Sequence, residues 1–115
     1  DSCVEHDALL CNKLQHAPSH YFRKLYYDAI SYSDVSLNQL AKQLSAGGDD
    51  SGSSGYDRIM FGTDNPFFPP LDTKDIMTAQ WPSTVEVQHN IGTLHNEDQQ
   101  KVMYKNACKL LNITV

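Results

Sequence analysis

A single carboxylate, Asp64, stands where an apolar segment runs into an aromatic, proline-rich turn. The segment reads RIMFGTDNPFFPP over residues 58–70. Gly62 allows another backbone or a ligand to approach closely, and Asn65-Pro66 forces the chain to turn directly after the carboxylate. A carboxylate held in this way can ligate a metal ion or transfer a proton. The alternative interpretation is ordinary turn chemistry, in which Asp64 accepts hydrogen bonds from nearby backbone amides.

The remaining candidates for chemistry are histidines and one further carboxylate. Histidines occur at positions 6, 16, 20, 89 and 95. His16 and His20 are four residues apart, but Pro18 between them argues against a shared helical face, so both are predicted to be exposed to solvent. The histidines at 89 and 95 have no partner at ligand spacing and are predicted to lie on the surface. Asp28, at the centre of an apolar run, is predicted to be a buried carboxylate that needs a hydrogen-bond partner.

Composition and charge restrict the partners and the compartment. The chain has 115 residues, of which 40% are hydrophobic and 20% charged, as in a soluble globular domain or part of one. A net charge of −5 without a cluster of Lys and Arg argues against a nucleic-acid partner. No apolar run approaches the roughly 18 residues of a membrane span, and no signal peptide is recognisable, so no membrane partner and a cytoplasmic location are expected. Three cysteines without C-x-x-C spacing favour reduced thiols.

The candidate carboxylates are placed by a strand, a helix and a second strand, in that order. Apolar runs over residues 25–30 and 56–61 have the length of strands, and the second is apolar enough for a parallel strand that is covered on both faces. Between them a helix is predicted over residues 35–45, with Ser33 or Asp34 as its N-cap. Its apolar stripe consists of Leu37, Leu40, Ala41 and Leu44. The three elements form one βαβ unit, for which a right-handed crossover is expected.

Further helices and one loop complete the chain. Helices are predicted over residues 4–15, 82–94 and 97–111, the first closed by Pro18 and the last opened by a capping box of Asn96 and Gln99. The segment 46–55, rich in Gly, Ser and Asp, is predicted to be a flexible surface loop. The side chains predicted to share one face of the last helix are Val102 or Met103, Asn106 or Ala107, and Leu110. Two strands make a poor independent domain, so residues 1–115 are predicted to be one partial domain of a larger α/β sheet.

Five segments, in their order along the chain, resemble a known family of enzymes. They are SCVEHD at 2–7, LYYDAISYS at 25–33, DRIMFGTDNPFFPPL at 57–71, the stretch from Trp81 to Asn90, and NACKLLNI at 106–113. Together they resemble the C-terminal part of the amidohydrolase-superfamily decarboxylases. The family in question is that of aminocarboxymuconate-semialdehyde decarboxylase, which includes isoorotate (5-carboxyuracil) and 6-methylsalicylate decarboxylases. The long segment around Asp64 is the specific part of this resemblance.

The resemblance implies a fold and a set of site residues. It implies that residues 25–31 and 57–63 are the last two strands of a metal-dependent (β/α)8 TIM barrel, whose catalytic groups lie at the carboxyl ends of the strands. Asp64 is then the strand-eight Asp that ligates the catalytic divalent metal, usually zinc. Phe67 resembles the aromatic residue that packs against the planar substrate ring. Asn65 stands where members of the family often have a His after the Asp, and His6 is placed near the barrel mouth. Both are expected to bind substrate.

The resemblance also implies an activity, the non-oxidative decarboxylation of an unsaturated or aromatic carboxylic acid. The family's N-terminal His-x-His and mid-chain His ligands are absent from this sequence, so we expect the 115 residues to be the C-terminal third of a longer barrel and inactive alone. The expected partners are a small carboxylic acid and a second copy of the protein, in a homodimer. Two alternatives remain: a truncated, non-catalytic α/β fragment that binds a partner chain or completes a barrel in trans, and a hydrolase of the amidohydrolase type.

Overall fold

The fold is a small parallel sheet with helices packed against it. The computed structural model describes residues 13–30, 33–46, 54–64 and 80–114. Its elements, in chain order, are α1 (Pro18–Phe22), β1 (Tyr27–Asp28), α2 (Asp34–Ser45), a 3-10 turn (Gly55–Arg58), β2 (Ile59–Met60), α3 (Pro82–Gly92), α4 (Asn96–Gln100), a π-helical segment (Lys101–Lys105) and α5 (Asn106–Leu111). Because α4, the π-helical segment and α5 follow one another without a break, we call residues 96–111 the last helix.

The predicted βαβ unit is present. β1 and β2 are parallel neighbours in register, with Tyr27 opposite Ile59 and Asp28 opposite Met60. The backbone N–H of Ala29 donates to the carbonyl oxygen of Met60 over 2.7 Å. The hydrogen-bonded ladder is shorter than the apolar runs that predicted the strands, although both strands fall inside the predicted ranges.

α2 supplies three of the eight buried hydrophobic side chains in the described part of the chain. Of the two predicted N-cap residues, Ser33 and Asp34, the structure has Ser33. Its Oγ accepts a hydrogen bond from the Ser36 N–H over 3.1 Å. Three residues of the predicted stripe, Leu37, Ala41 and Leu44, are buried, and Leu40 packs against them. The core that they form also contains Ala29, Ile59, Val87, Ile91 and Val102. α3 and the last helix therefore close the same core as α2.

The first described helix corrects two predictions. Pro18 begins α1 as its first residue instead of ending a preceding helix, and residues 13–17 are not helical; the rest of the predicted helix 4–15 lies outside the described residues. Proline is favoured at this position because the N–H it lacks would have no partner there. His16 precedes α1 and so does not share a helical face with His20, as predicted, but the prediction that both are exposed was wrong for His20, whose ring centroid lies 4.1 Å from that of His16. His16 is exposed and His20 half-buried.

The start of the last helix corrects a third prediction. Its N-cap residue is His95, and the Gln99 backbone N–H donates to the His95 carbonyl oxygen. The Gln99 side chain does not reach back to the cap, as a capping box would require, but donates to the carbonyl oxygens of Leu94 (2.7 Å) and Gly92 (3.2 Å). Gly92 is the last residue of α3 and Leu94 follows it, where helix carbonyls have no partner within the helix, so Gln99 joins two helices.

A charged cluster holds the last helix against the 3-10 turn. The Lys101 Nζ lies 3.0 Å from an Asp57 carboxylate oxygen and 3.5 Å from those of Glu97 and Asp98. The Ser54 hydroxyl and Asp98 are also hydrogen-bonded, over 3.0 Å. Ser54 and the buried Gly55, the last two residues of the predicted loop 46–55, are thus held against their neighbours; residues 47–53 lie outside the described part of the chain.

We predict that this junction loses stability at alkaline pH. Burial lowers the pKa of Lys101, but the hydrogen bond and charge of Asp57 and the nearby Asp98 and Glu97 outweigh it, so the pKa lies above the ordinary 10.5. The ion pairs therefore stabilise the fold below that pH and are lost as pH rises through the raised value. Burial, followed by Asp98, raises the pKa of Tyr56 above 10.0, and keeping this phenol neutral also costs stability once the unfolded chain can ionise.

The free energy of unfolding, measured in urea, should be nearly constant between about pH 7 and about pH 9 and should fall above about pH 10. The variant Lys101→Met should show a weaker fall because it lacks the titrating amine. A wild-type free energy that stays level to about pH 11 would contradict the assignment of this cluster.

In the described residues, no helix is long and apolar enough to cross a lipid bilayer.

Candidate functional site

The carboxyl end of β2 leads directly to Asp64. Three residues separate Asp64 from the last residue of the strand, Met60, and the Asp64 side chain is exposed. Its backbone has a φ of 53°, in the left-handed region that non-glycine residues rarely adopt. Aspartate is one of the few residues that tolerate this region, because its short side chain can hydrogen-bond locally. The turn conformation and a functional carboxylate at a strand end are both compatible with this backbone.

Gly62 lies where there is little room for a side chain at this end of the sheet. A Cβ at this position would lie 3.1 Å from the Asp28 Cβ and 3.3 Å from the Ile30 Cγ1. These distances are tighter than most real Cβ contacts, so the end of β2 passes very close to the end of β1. The close approach predicted for Gly62 is therefore made with the neighbouring strand of the same sheet.

Asp28 is exposed, so the prediction that it is a buried carboxylate was wrong. Side chains alternate along an extended chain, and the inward position next to Asp28 is taken by Ala29, the residue after β1, which is 1% exposed. The carboxylate still makes the predicted structural hydrogen bond, because Asp28 Oδ1 accepts from the Ile30 N–H over 3.1 Å. Asp28 is the last residue of β1 and Asp64 follows β2. Since the two strands are parallel, both carboxylates lie at the carboxyl end of the sheet.

The far side of β2 contacts the last helix through polar groups whose function the sequence did not reveal. The Phe61 N–H donates to the Val102 carbonyl oxygen over 2.8 Å. The Asn106 side chain, whose residue is 5% exposed, donates to the carbonyl oxygens of Tyr56 and Ile59, both over 2.7 Å. The signal available in the sequence was an asparagine among the inward-facing positions of an apolar helix stripe.

The metal that the resemblance implies can be tested against these residues. An exposed carboxylate at a strand end is a suitable oxygen donor for zinc, which needs about three protein ligands in a catalytic site. Within the described ranges, however, no three His, Cys, Asp or Glu residues come together as a metal-binding group. The predicted substrate-binding residues His6, Asn65 and Phe67 lie outside these ranges. The described residues therefore supply one donor, Asp64, and do not by themselves fit a metal centre.

The remaining candidate residues from the sequence, two histidines and a cysteine, lie on α3 and the last helix, including its N-cap, and not at the carboxyl end of the strands. His89 and His95 are exposed, as predicted. Cys108 is a half-buried free thiol, in agreement with the reduced state expected for the cysteines; the other two lie outside the described part. Asp64 and Asp28 are thus two carboxylates that the fold places at the carboxyl ends of the described strands.

Comparison with known proteins identifies a structural relative. No protein-family profile matches the chain, and no curated protein matches it significantly. Among solved structures, the chain is similar to the apo form of Metarhizium anisopliae IDCase, with a TM-score of 0.68 and 30% sequence identity. The match covers 97% of this chain and 29% of the IDCase chain. This chain therefore spans less than a third of the length of that relative.

The similarity supports one conclusion about the kind of relative and one about the fold. IDCase is an isoorotate decarboxylase of the amidohydrolase superfamily, so the chain has the kind of relative that its sequence segments indicated. The observed mixture of helices with two parallel strands is compatible with part of an α/β barrel enzyme.

Proposed function

We propose that the native polypeptide containing this chain is a non-oxidative decarboxylase of unsaturated or aromatic carboxylic acids. The observation that carries the proposal is the match to IDCase over 97% of the chain, in which Asp64 follows the carboxyl end of a parallel strand. In α/β barrels this end of the strands carries the catalytic groups. In the proposal, β1 and β2 are the last two strands of the barrel.

The proposed roles of the residues follow from their chemistry. Asp64 is one oxygen ligand of a divalent metal, which we expect to be zinc, or the group that passes a proton to the substrate; the other metal ligands would come from outside the described residues. A metal bound there would act as a Lewis acid toward the oxygens of the substrate. Phe67 would pack against the planar ring, and Asn65 and His6 would contact polar groups of the substrate.

The reaction requires only one proton from the protein or solvent. The bond between the ring carbon and the carboxylate breaks, CO2 leaves, and the electron pair remains on the carbon. That carbon then takes one proton, so the product is the acid without its carboxylate and nothing is oxidised or reduced. An exposed Asp64 can exchange protons with solvent and transfer them over hydrogen-bonding distance.

The proposal is tested on the native polypeptide, purified from its source cells with an antibody to residues 57–71. It should be incubated in heavy water with a panel of aromatic and unsaturated acids that includes isoorotate and 6-methylsalicylate. We expect release of CO2 from at least one acid, with one deuterium from solvent at the carbon that carried the carboxylate.

Two outcomes would overturn the proposal in different ways. If amides and esters of these acids are included as well, their hydrolysis without release of CO2 from any acid would favour the hydrolase alternative. A polypeptide that neither releases CO2 nor hydrolyses any compound of the panel, but that copurifies with a defined protein chain, would favour the non-catalytic fragment.

A further inference from the structure

The two faces of the sheet have different surroundings. On one face, Ala29 and Ile59 belong to the core that the helices cover, and Tyr27 and Phe61 pack against it. Side chains alternate along extended chains, so the residues that alternate with these four point to the opposite face. They are Asp28 and Ile30 in the first segment and Met60 and Gly62 in the second.

The space beside Gly62 shows which side chains share this opposite face. A Cβ at Gly62 would lie 3.1 Å from the Asp28 Cβ, and 3.3 Å and 3.4 Å from the Ile30 Cγ1 and Cδ1. Since Asp28 pairs with Met60, Ile30 is opposite Gly62, two residues further along both segments. The Ile30 side chain therefore extends from its own segment across Gly62, which presents no side chain of its own.

Ile30 is half-buried but does not contribute to the core under the helices. Within the described residues, neither Ile30 nor Met60 is among the apolar side chains that form this core or pack against it. Asp28 fixes the Ile30 backbone, because the Asp28 Oδ1 accepts from the Ile30 N–H over 3.1 Å. Ile30 is thus an apolar side chain held at the carboxyl end of the strands, on the face away from the helices.

This face becomes the interior in the barrel of the proposed function. Helices form the outer ring of an α/β barrel, and side chains from the other face of the sheet fill its interior in layers. Ile30 and Gly62 then belong to the interior layer nearest the mouth in the described strands. Asp64 follows Gly62 by two residues, about 7 Å along an extended chain. An apolar side chain therefore lies directly below the part of the chain that carries the carboxylate.

We infer that Ile30 is a specificity-determining residue, whose side chain forms the apolar floor of the substrate pocket below Asp64. The inference rests on the proposed function and adds a feature of the substrate to it. The edge of the ring that enters deepest must be apolar, because Ile30 can neither donate nor accept a hydrogen bond, and a polar group there would lose its bonds to water without replacement. The Ile30 Cδ1 methyl also limits how far the ring can enter.

The test changes this floor by one methyl group in the native polypeptide. Ile30→Val removes only the Cδ1 carbon, so the pocket deepens and the fold is retained. Turnover is measured for the acid that the wild-type protein decarboxylates best and for its homologues with one added methyl group at each open ring position. For one homologue, the ratio of its kcat/KM to that of the parent acid should rise about tenfold or more, the usual effect of one methylene in an apolar pocket. The kcat for the parent acid should stay close to the wild-type value.

Ile59→Val is the matched control, because it makes the same chemical change on the face that the helices cover. Ile59 is 0% exposed, so its variant should lower the free energy of unfolding but leave every ratio of kcat/KM unchanged. Unchanged ratios in Ile30→Val, or an equal rise in both variants, would overturn the inference.

A binding measurement on the wild-type protein does not depend on turnover. With the isoleucine Cδ1 methyl groups labelled with carbon-13, added 6-methylsalicylate or isoorotate should shift the Ile30 resonance, since the ring of the bound acid lies against this methyl group. The Ile59 resonance should stay in place, because the helices separate it from the pocket.

The two measurements distinguish failure of the inference from failure of the proposed function. If the Ile30 resonance shifts but no acid releases CO2, the apolar floor stands and the proposed function fails. If CO2 is released while neither the ratios nor the Ile30 resonance changes, the inference alone fails. Absence of both turnover and shift would overturn both.

Discussion

Gly55→Ala is expected to destabilise the protein by about 3 kcal/mol or more, beyond the usual range for overpacking a core. The reason is the position of Gly55 against α2. An added Cβ would lie 1.9 Å from the Ala41 carbonyl oxygen, 2.6 Å from the Ala41 carbonyl carbon and 2.6 Å from the Ser45 Oγ. The nearest of these atoms belong to the helix backbone, which cannot rotate away as a side chain can. α2 and the 3-10 turn would have to separate. The ion pair of Lys101 with Asp57 would be disturbed as well, because Asp57 lies in this turn.

The measurement is the free energy of unfolding in urea, and Gly92→Ala is its control. Gly92 is the last residue of α3, and a Cβ there would meet nothing within 4 Å. The same chemical change at this position should be neutral or should stabilise by up to about 1 kcal/mol, because alanine favours the helix. Equal stability of Gly55→Ala and the wild-type protein would show that α2 and the turn do not pack as described.

The elements that the sequence predicted well are those determined by local spacing. α2 has a capping serine, a stripe at helical spacing and no glycine or proline, so local preference and burial favour the same structure. The two strands are apolar runs of the right length on either side of this helix, and their parallel pairing follows from the connection between them. The position of Asp64 after the second strand follows from the same reasoning.

The features that the sequence could not predict depend on contacts between distant residues. Gly55 stands in a segment whose composition indicates a loop, and only the approach of Ala41 shows why no side chain fits there. The Gln99 pattern indicates a capping box, but the end of α3 offers carbonyls that compete for the same side chain. The π-helical segment has no local sequence signal and is visible only through the bond from Phe61 to Val102.

The two carboxylates Asp64 and Asp28 also differ in whether their positions could be predicted from local sequence. Asp64 could be recognised from the sequence because an apolar strand and a glycine precede it and a proline-containing turn was predicted after it. Asp28 was assigned to the interior because its neighbours in sequence are apolar, yet the alternation in β1 turns it toward solvent. Side chains alternate between the two faces of a strand, but which face is buried depends on where the helices pack. In so short a strand this cannot be read from the sequence.

Asp64→Asn is expected to lower CO2 release by the native polypeptide by about 10²- to 10⁴-fold, the range for loss of a group that transfers a proton. Asparagine keeps the size of the side chain and tolerates the left-handed backbone seen at φ 53°, so the turn should be retained. It lacks the negative charge that binds a metal and the acidity that moves a proton. The loss should therefore appear in kcat with little change in the free energy of unfolding.

Asp28→Asn is the matched control, because it makes the same chemical change at the same edge of the sheet. The Asp28 side chain accepts a hydrogen bond from the Ile30 N–H, and an asparagine oxygen can accept it equally well. Steady-state kinetics and urea unfolding of both variants should show turnover lost in Asp64→Asn and nearly retained in Asp28→Asn. Wild-type turnover in Asp64→Asn would remove Asp64 from the reaction and leave it as a turn residue. Equal losses in both variants would mean that the charge of this edge, and not one carboxylate, supports the chemistry.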